Sequence, residues 1–215
     1  MKNNIYIYFL ILILYGCQGS LEKYEISNAI QISIPSELEL RNENSIFNQT
    51  MDGIRDEYNP NHAIKIGKSK LIFQPKGTDN LEKDAVEDVT RILVKYFKIG
   101  SNSFPKWNFK ISNQELIEIN KQIKIQTISE LKTMPFEYEI TEWSPLKMGS
   151  INGLSYIKGT YLSLVNNETS YTETYQFFNK NEKVIISNTT NFSDKEKWVD
   201  VFNDVIKTFK FKNKK

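Results

Sequence analysis

Tyr171-Thr-Glu-Thr-Tyr-Gln-Phe-Phe178, followed a little later by Ser193-Asp-Lys-Glu-Lys-Trp198, decides the fold class of this 215-residue chain. In the first stretch Tyr171, Tyr175 and Phe177 fall on one side of an extended backbone. Thr172, Thr174 and Gln176 fall on the other, which is the period of two that marks a half-buried strand. In the second, Ser193 and Glu196 have the spacing of a capping box. Trp198, Val201, Phe202, Val205, Ile206 and Phe209 then recur every three or four residues and draw one wide apolar stripe. A terminal helix with such a stripe has to cover an apolar surface, and the sheet is what it can lie on.

Working outward, Tyr138–Trp143, Leu146–Ile151, Leu154–Val165 and Lys183–Thr189 are further strand-like runs. Asn166-Asn167 and Asn179-Lys180-Asn181 supply turns, so the whole stretch reads as an antiparallel meander. Upstream, Ser112-Asn113-Gln114-Glu115 is a second capping box. It opens a helix that carries Leu116, Ile119, Ile123, Ile128 and Leu131 inward and is stopped by Pro135. Ile30, Ile32 and Ile34 alternate with Gln31 and Ser33 before Pro35, and Leu38 and Leu40 extend the run. Asn44 to Asp56 reads as a short helix and Asn59-Pro60-Asn61 as a turn. Ala63–Ile66 and Lys70–Gln74 flank Gly67-Lys68 as a hairpin. After the break at Pro75–Thr78, Asp79 is placed to cap a helix with Glu82 three residues on. That helix carries Leu81, Ala85, Val89, Ile92, Leu93 and Tyr96, but residues 91–99 are rich in β-formers and stay open between helix and strand. Ser101–Lys106 reads as a loop. The expected class is α+β, an antiparallel β-sheet flanked by helices.

The first residues carry an address. Met1-Lys2-Asn3-Asn4 is a basic start, Ile5 to Tyr15 is an apolar run, and Gly16-Cys17 follows, which together make the three parts of a secretory signal. The run is too short for a spanning helix, which needs roughly 20 apolar residues. Leu14-Tyr15-Gly16-Cys17 resembles the bacterial lipobox, and Cys17 is the only cysteine in the chain. An unpaired thiol is a liability in an oxidising compartment, and a diacylglycerol on its sulfur would consume it. The expected organisation is a signal peptide over residues 1–16, a lipidated N-terminus and polar tether over 17–28, and one globular domain over 29–215. Gln18 is not the Asp that typically retains such proteins in an inner membrane, and the next residues lack an acidic export run. The expected location is the cell envelope, in the outer membrane facing the periplasm.

Composition narrows the function classes. The formal charge is +2, one less without Lys2, and argues against nucleic acid, whose binders gather positive charge on one face. The basic tail Lys207, Lys210, Lys212, Lys214 and Lys215 reads as a solvated helix end, with contact to anionic lipid headgroups as the alternative. Asn-x-Ser/Thr triplets at Asn48, Asn167, Asn188 and Asn191 read as chance occurrences. His62 is the single histidine and reads as an exposed loop residue, so catalytic triads and multi-histidine metal sites lack their imidazoles. Glu137, Glu139 and Glu142 lie near Trp143 and could suggest a glycosidase pair. On a regular strand, however, Glu137 and Glu139 share one face and Glu142 takes the other. The nine glycines are scattered, so no phosphate loop forms. The expectation is no catalytic residue, no metal and no cofactor. Tyr156, Tyr161, Tyr171, Tyr175 and Phe177 read as the packed face of the sheet.

An early Ile-x-Ile-Pro strand, the meander after a central helix, the Asn152-Gly153 turn and the ending Ile206-Lys207-Thr208-Phe209 together resemble PsbP-like domains. That fold is an α/β/α sandwich shared by photosystem-associated proteins, a Ran-binding nuclear import factor and the DcrB-like bacterial lipoproteins. Phe73-Gln74-Pro75-Lys76-Gly77 and Glu142-Trp143 also resemble lipoproteins of Bacteroidetes-type bacteria. The resemblance implies a non-enzymatic domain that binds or helps assemble other proteins, and it brings no site residues with it. Three readings follow. The first is a lipid-anchored module whose partner is another envelope protein. The second is a small-ligand binder with a pocket between sheet and helix, lined by the aromatic face. The third is an immunity-type protein against a secreted toxin.

Overall fold

Alternation in the meander sets the architecture, and a computed structural model gives its full extent. It describes residues 20–42, 44–45, 49, 70–98, 111–132, 138–165, 167–179 and 182–212. Along the chain these form β1 (Leu21–Ile26), β2 (Ile30–Pro35), β3 (Leu38–Leu40), β4 (Lys70–Pro75), α1 (Lys83–Glu87) and β5 (Arg91–Lys98). Then come α2 (Asn113–Leu131), β6 (Tyr138–Ile151), β7 (Leu154–Val165), β8 (Glu168–Asn179), β9 (Glu182–Asn191), α3 (Lys195–Thr208) and β10 (Lys210–Phe211). The strands build a seven-stranded sheet in the order β3-β4-β5-β9-β8-β7-β6 and a small sheet in the order β1-β2-β10. Every pairing is antiparallel. The fold is α+β, as the sequence predicts.

The large sheet has two chemically different faces. Phe177 lies between Tyr156 and Val184 in register, Tyr175 beside Ile186, and Val94 and Tyr96 follow on β5. This face is covered by α3, whose Trp198, Phe202, Val205 and Ile206 are buried against it. The small sheet closes the same core from the side: Ile30, Ile32 and Ile34 are fully buried. Thr208 ties α3 to β2 by accepting a hydrogen bond from the Ser33 N–H at 2.8 Å. The Asn152-Gly153 turn joins β6 to β7 with φ of 52° and 74°, a two-residue hairpin geometry that Asn-Gly adopts at low cost. The Asn152 side-chain amide donates to the carbonyls of Lys207 (2.6 Å) and Phe209 (3.3 Å), which satisfies orphan acceptors at the end of α3.

Several local expectations need correction. Leu21 to Asn28 is not a tether: Leu21–Ile26 is β1, paired along its length with β2, so the folded domain starts at least eight residues before 29. Its polar residues face water, which hides a strand whose inward positions are Tyr24 and Ile26. The helix expected from Leu81 to Tyr96 is only five residues long, and Arg91–Lys98 is strand β5 with Ile92, Val94 and Tyr96 buried in period two. Pairing of β5 with β4 on one side and β9 on the other overrides the three-and-four spacing there. Asp79 caps no helix. Its carboxylate accepts from the Asn42 N–H (2.9 Å) and the Gln74 side-chain amide (2.8 Å), pinning β3 to β4. Ser193 sits in a 3-10 turn before α3, and the first residue position of that helix has no side-chain cap. The Ser112–Glu115 box, by contrast, forms in both directions, at 2.8 and 3.2 Å. The expected helix at Asn44–Asp56 lies largely, and the strand Ala63–Ile66 wholly, outside the described residues. So do Cys17, His62, Glu137 and Ser101–Lys106.

Candidate functional site

The second face of the large sheet carries the residues that alternate away from the core, with a block of hydroxyls at its centre. Arg91, Thr189, Thr172, Tyr161 and Trp143 form one row across β5, β9, β8, β7 and β6. Leu93, Ser187, Thr174 and Gly159 form the next, and Lys95, Ile185, Gln176 and Ile157 the one after. Thr172 and Thr189 share a hydrogen bond at 3.1 Å, and Thr174 and Ser187 share one at 2.9 Å. Each hydroxyl keeps a further lone pair for another partner.

Helix α2 lies across this face without sealing it. Its one-sided anchor is Asn120, whose side-chain oxygen accepts from the Trp143 indole N–H (2.9 Å) and the Leu146 N–H (3.2 Å). Trp143 in turn stacks on Tyr161 with ring centroids 5.5 Å apart. A β-bulge between Ser144 and Lys147 accommodates Pro145 and turns Leu146 over Gly159, where an added methyl would meet Leu146 Cδ2 at 3.0 Å. None of the described α2 residues is fully buried; Leu116, Ile119, Ile123, Ile128 and Leu131 are half-buried, and Ile117 and Ile125 are exposed. A cavity of about 820 Å³ remains between α2 and the sheet. Its floor is the hydroxyl rows with Gln176, its roof is Ile123, Gln126, Thr127 and Leu131, and Tyr138 and Tyr161 form one wall.

Cations line the opposite side: Arg41, Arg91, Lys95 and Lys183, with Glu168 as the acidic residue of the lining. Burial pushes the Arg91 guanidinium down to about 10, with Arg41 acting the same way and Asp88, Asp79 and Glu39 opposing it. Arg91 also donates to the carbonyls of Asp88 (3.0 Å) and Thr90 (2.6 Å), so its position is fixed before any ligand arrives. Burial likewise raises the Tyr138 phenol above its ordinary range.

The core face holds one polar cluster of its own. Glu173 has no exposed side-chain surface, pairs with Lys158, and accepts from the Tyr171 hydroxyl at 3.0 Å. Asn188 lies next to it in register, fully buried, with neither side-chain amide atom hydrogen-bonded. This cluster contains a carboxylate, an ammonium and two phenols but no exposed approach to Glu173.

No family model and no curated protein matches the chain. Among solved structures, the solution structure of cyanobacterial PsbP (CyanoP) from Synechocystis sp. PCC 6803 has a TM-score of 0.55 at 12% identity. The match covers 90% of this chain and 94% of that one. The fold is PsbP-like. A crystal structure from Bacteroides thetaiotaomicron VPI-5482 has a TM-score of 0.48 at 12% identity, over 92% of this chain and 50% of that one. LpqN, involved in cell envelope biogenesis of Mycobacterium tuberculosis, has a TM-score of 0.42 at 12% identity, over 93% and 88%. At these identities the likeness concerns the fold alone.

Within the PsbP-like frame, sequence-predicted residues fall as follows. Tyr171, Tyr175 and Phe177 pack under α3 as expected, but Tyr161 does not share their face: in register with Thr172 and Trp143 it lies on the opposite one and lines the groove under α2. Glu139 and Glu142 are exposed on one face, because a bulge between Ile140 and Glu142 inserts an extra residue and resets the alternation. Among the described residues no group of three or more His, Cys, Asp or Glu side chains could hold a metal ion. The groove residues Arg91, Lys95, Thr172 and Thr174 were not singled out as a site from sequence. Their signal was the polar half of an alternation that reads as ordinary solvent-facing surface.

Proposed function

We propose that this chain is a non-enzymatic binding module held at the bacterial cell envelope by acyl chains on Cys17, and that it binds in the groove beneath α2. The groove carries the reading. A volume of about 820 Å³ falls within the size range of small-molecule sites. Its floor offers paired hydroxyls, its walls offer cations and stacked aromatic rings, and its roof is a helix held by few contacts. These groups suit a polar ligand that brings hydrogen-bond acceptors and a flat apolar face. Two or three acyl chains, at about 0.8 kcal/mol per buried methylene, keep such a module on its membrane for the life of the protein. Gln18, rather than Asp, after the cysteine favours the outer membrane, with the domain in the periplasm.

The first envelope-protein reading keeps one supporting observation, the exposed Ile117 (58%) and Ile125 (63%) on α2. A photo-crosslinking residue in place of Gln176, in the groove floor, separates the two in whole cells. The expected result is a small-molecule adduct at position 176 that disappears when Thr174→Val and Thr172→Val remove the paired hydroxyls. Crosslinks to a protein from position 117 or 125, with none from 176, would replace the groove reading by that of a protein-docking helix.

A further inference from the structure

The chain enters its first strand very soon after the cysteine, and this selects the end of the fold that meets the bilayer. Leu21 pairs with Pro35, and the Ser20 carbonyl accepts from the Ser36 N–H at 2.9 Å, so Ser20 is already pinned to the domain. Cys17 lies three residues upstream, a reach of at most about 11 Å. Acyl chains on its sulfur hold the Ser20–Ser36 end close to the headgroups.

A strained turn starts from that same end, anchored on β3 by the Asp79 N–H, which donates to Glu39 at 3.0 Å. Lys76 N–H donates to the Glu37 carbonyl at 2.9 Å, and Pro75 opposes Leu38, which brings the chain from Pro75 to Glu82 alongside Ser36. The turn closes on itself, with Leu81 N–H donating to Thr78 and Glu82 N–H to Gly77. At its tip Leu81 has φ 60°, in the left-handed region that bulky side chains avoid, and it is 51% exposed. Leu21, at the strand start, is 44% exposed. Lys76, Glu82, Lys83 and Asp84 surround Leu81 and face water, with Lys83 paired to Glu87 at 3.9 Å, so any attraction to the bilayer comes from the leucines and not from net positive charge. A leucine held outward by a disfavoured backbone conformation contributes nothing to the core, and burial at the headgroup–acyl boundary is where its side chain would count.

Strand β10, with Lys210, is at the other end. β10 and β1 both run antiparallel to β2, and Lys210 lies opposite Gln31, at the far end of the small sheet from Leu21. Four residues of strand separate the two ends, about 13 Å. Lys212 is paired with Glu25 and Lys207 with Asp204, so these lysines spend their charge within the fold.

We propose that the Pro75–Glu82 turn is a membrane-contact surface, with Leu81 and Leu21 entering the interface of the leaflet that carries the anchor. The proposal rests on acylation of Cys17. The test uses the full-length acylated protein in vesicles of phosphatidylethanolamine and phosphatidylglycerol. Because Cys17 is the single cysteine and its sulfur is acylated, Leu81→Cys or Lys210→Cys supplies one labelling site for an environment-sensitive fluorophore. The label at 81 is expected to shift to the blue and to be quenched several-fold more by brominated lipid than the label at 210. In the unlabelled protein, vesicles are expected to slow tryptic cleavage after Lys83 about tenfold, and Leu81→Asn to abolish that protection while the protein stays membrane-bound. Equal quenching at 81 and 210, or equal cleavage with and without vesicles, overturns the proposal although the anchor is intact. A mass spectrum showing an unmodified Cys17 overturns both the anchor and the contact.

Discussion

Glu173 is a charged side chain with no exposed surface, set between Tyr171 and Tyr175 on the apolar side of β8. Its cost is met by Lys158 and by the Tyr171 and Tyr175 hydroxyls, while Asn188 beside it leaves both amide atoms unpaired. A buried carboxylate that loses its counter-ion is destabilising by about 3 kcal/mol. Lys158→Met is therefore expected to lower stability by roughly that amount in urea unfolding, and Lys158→Met with Glu173→Gln to recover more than half of it. Additive losses in that double-mutant cycle would show that the pair is not coupled. The alternation that places Tyr171 and Tyr175 inward places Glu173 there too, so its burial was legible from position parity alone. What was not legible was the partner: Lys158 reaches it from β7 through the pairing of Lys158 with Tyr175 and of Thr160 with Glu173, a register that sequence does not state. The groove residues were obscure for a related reason. Threonines and serines on the polar half of a strand look the same whether water or a helix lies above them.

Among the elements, those whose own residues supply the decisive burial were readable and those that depend on neighbours were not. α3 and the meander carry wide, regular apolar patterns and appear where the sequence puts them, except that the two runs Tyr138–Trp143 and Leu146–Ile151 are one strand, β6, bulged at Pro145. β1 and β5 are defined by their pairing with β2, β4 and β9, and their local signals pointed elsewhere. α2 is a separate case: its capping box forms as expected, yet its apolar residues are only half-buried, and Asn120 holds it to β6 through two hydrogen bonds. Asn120→Ala is expected to raise amide exchange across Asn113–Leu131 at least tenfold with little change in the rest of the sheet, as for a locally opening unit. Hydrogen-exchange mass spectrometry measures this directly, and unchanged exchange in that helix would mean that other contacts hold the groove's roof.

For the whole molecule, the core ties stability to alkaline pH. Burial first, and then the Glu173 carboxylate, raise the Tyr171 and Tyr175 phenols above their ordinary range. Burial and the Glu182 carboxylate push Tyr96 up to about 12. Each phenol supports the fold while protonated. The contribution is intact below the unfolded value of 10 and is lost as pH climbs toward the folded values. Circular dichroism followed with tyrosinate absorbance should show cooperative unfolding above pH 10, and Tyr171→Phe should lower stability at neutral pH and make its loss above pH 10 shallower. Ionisation of all tyrosines near pH 10 without loss of structure would contradict this arrangement of the core.

The large sheet also ends in two very unequal strands. Among the described residues β3 offers three and β6 offers fourteen, so nearly all of the unpaired edge of the described sheet lies along β6. Two bulges break the hydrogen-bond ladder of that strand, Pro145 removes a donor, and Glu139, Glu142 and Lys147 stand exposed along it. A neighbouring copy trying to extend the sheet would find no uninterrupted template longer than a few residues and would have to desolvate charge to use it. The long edge of the described sheet is thus a poor template for a second copy of the chain, while Trp143 and Leu146 of the same strand hold α2 through Asn120.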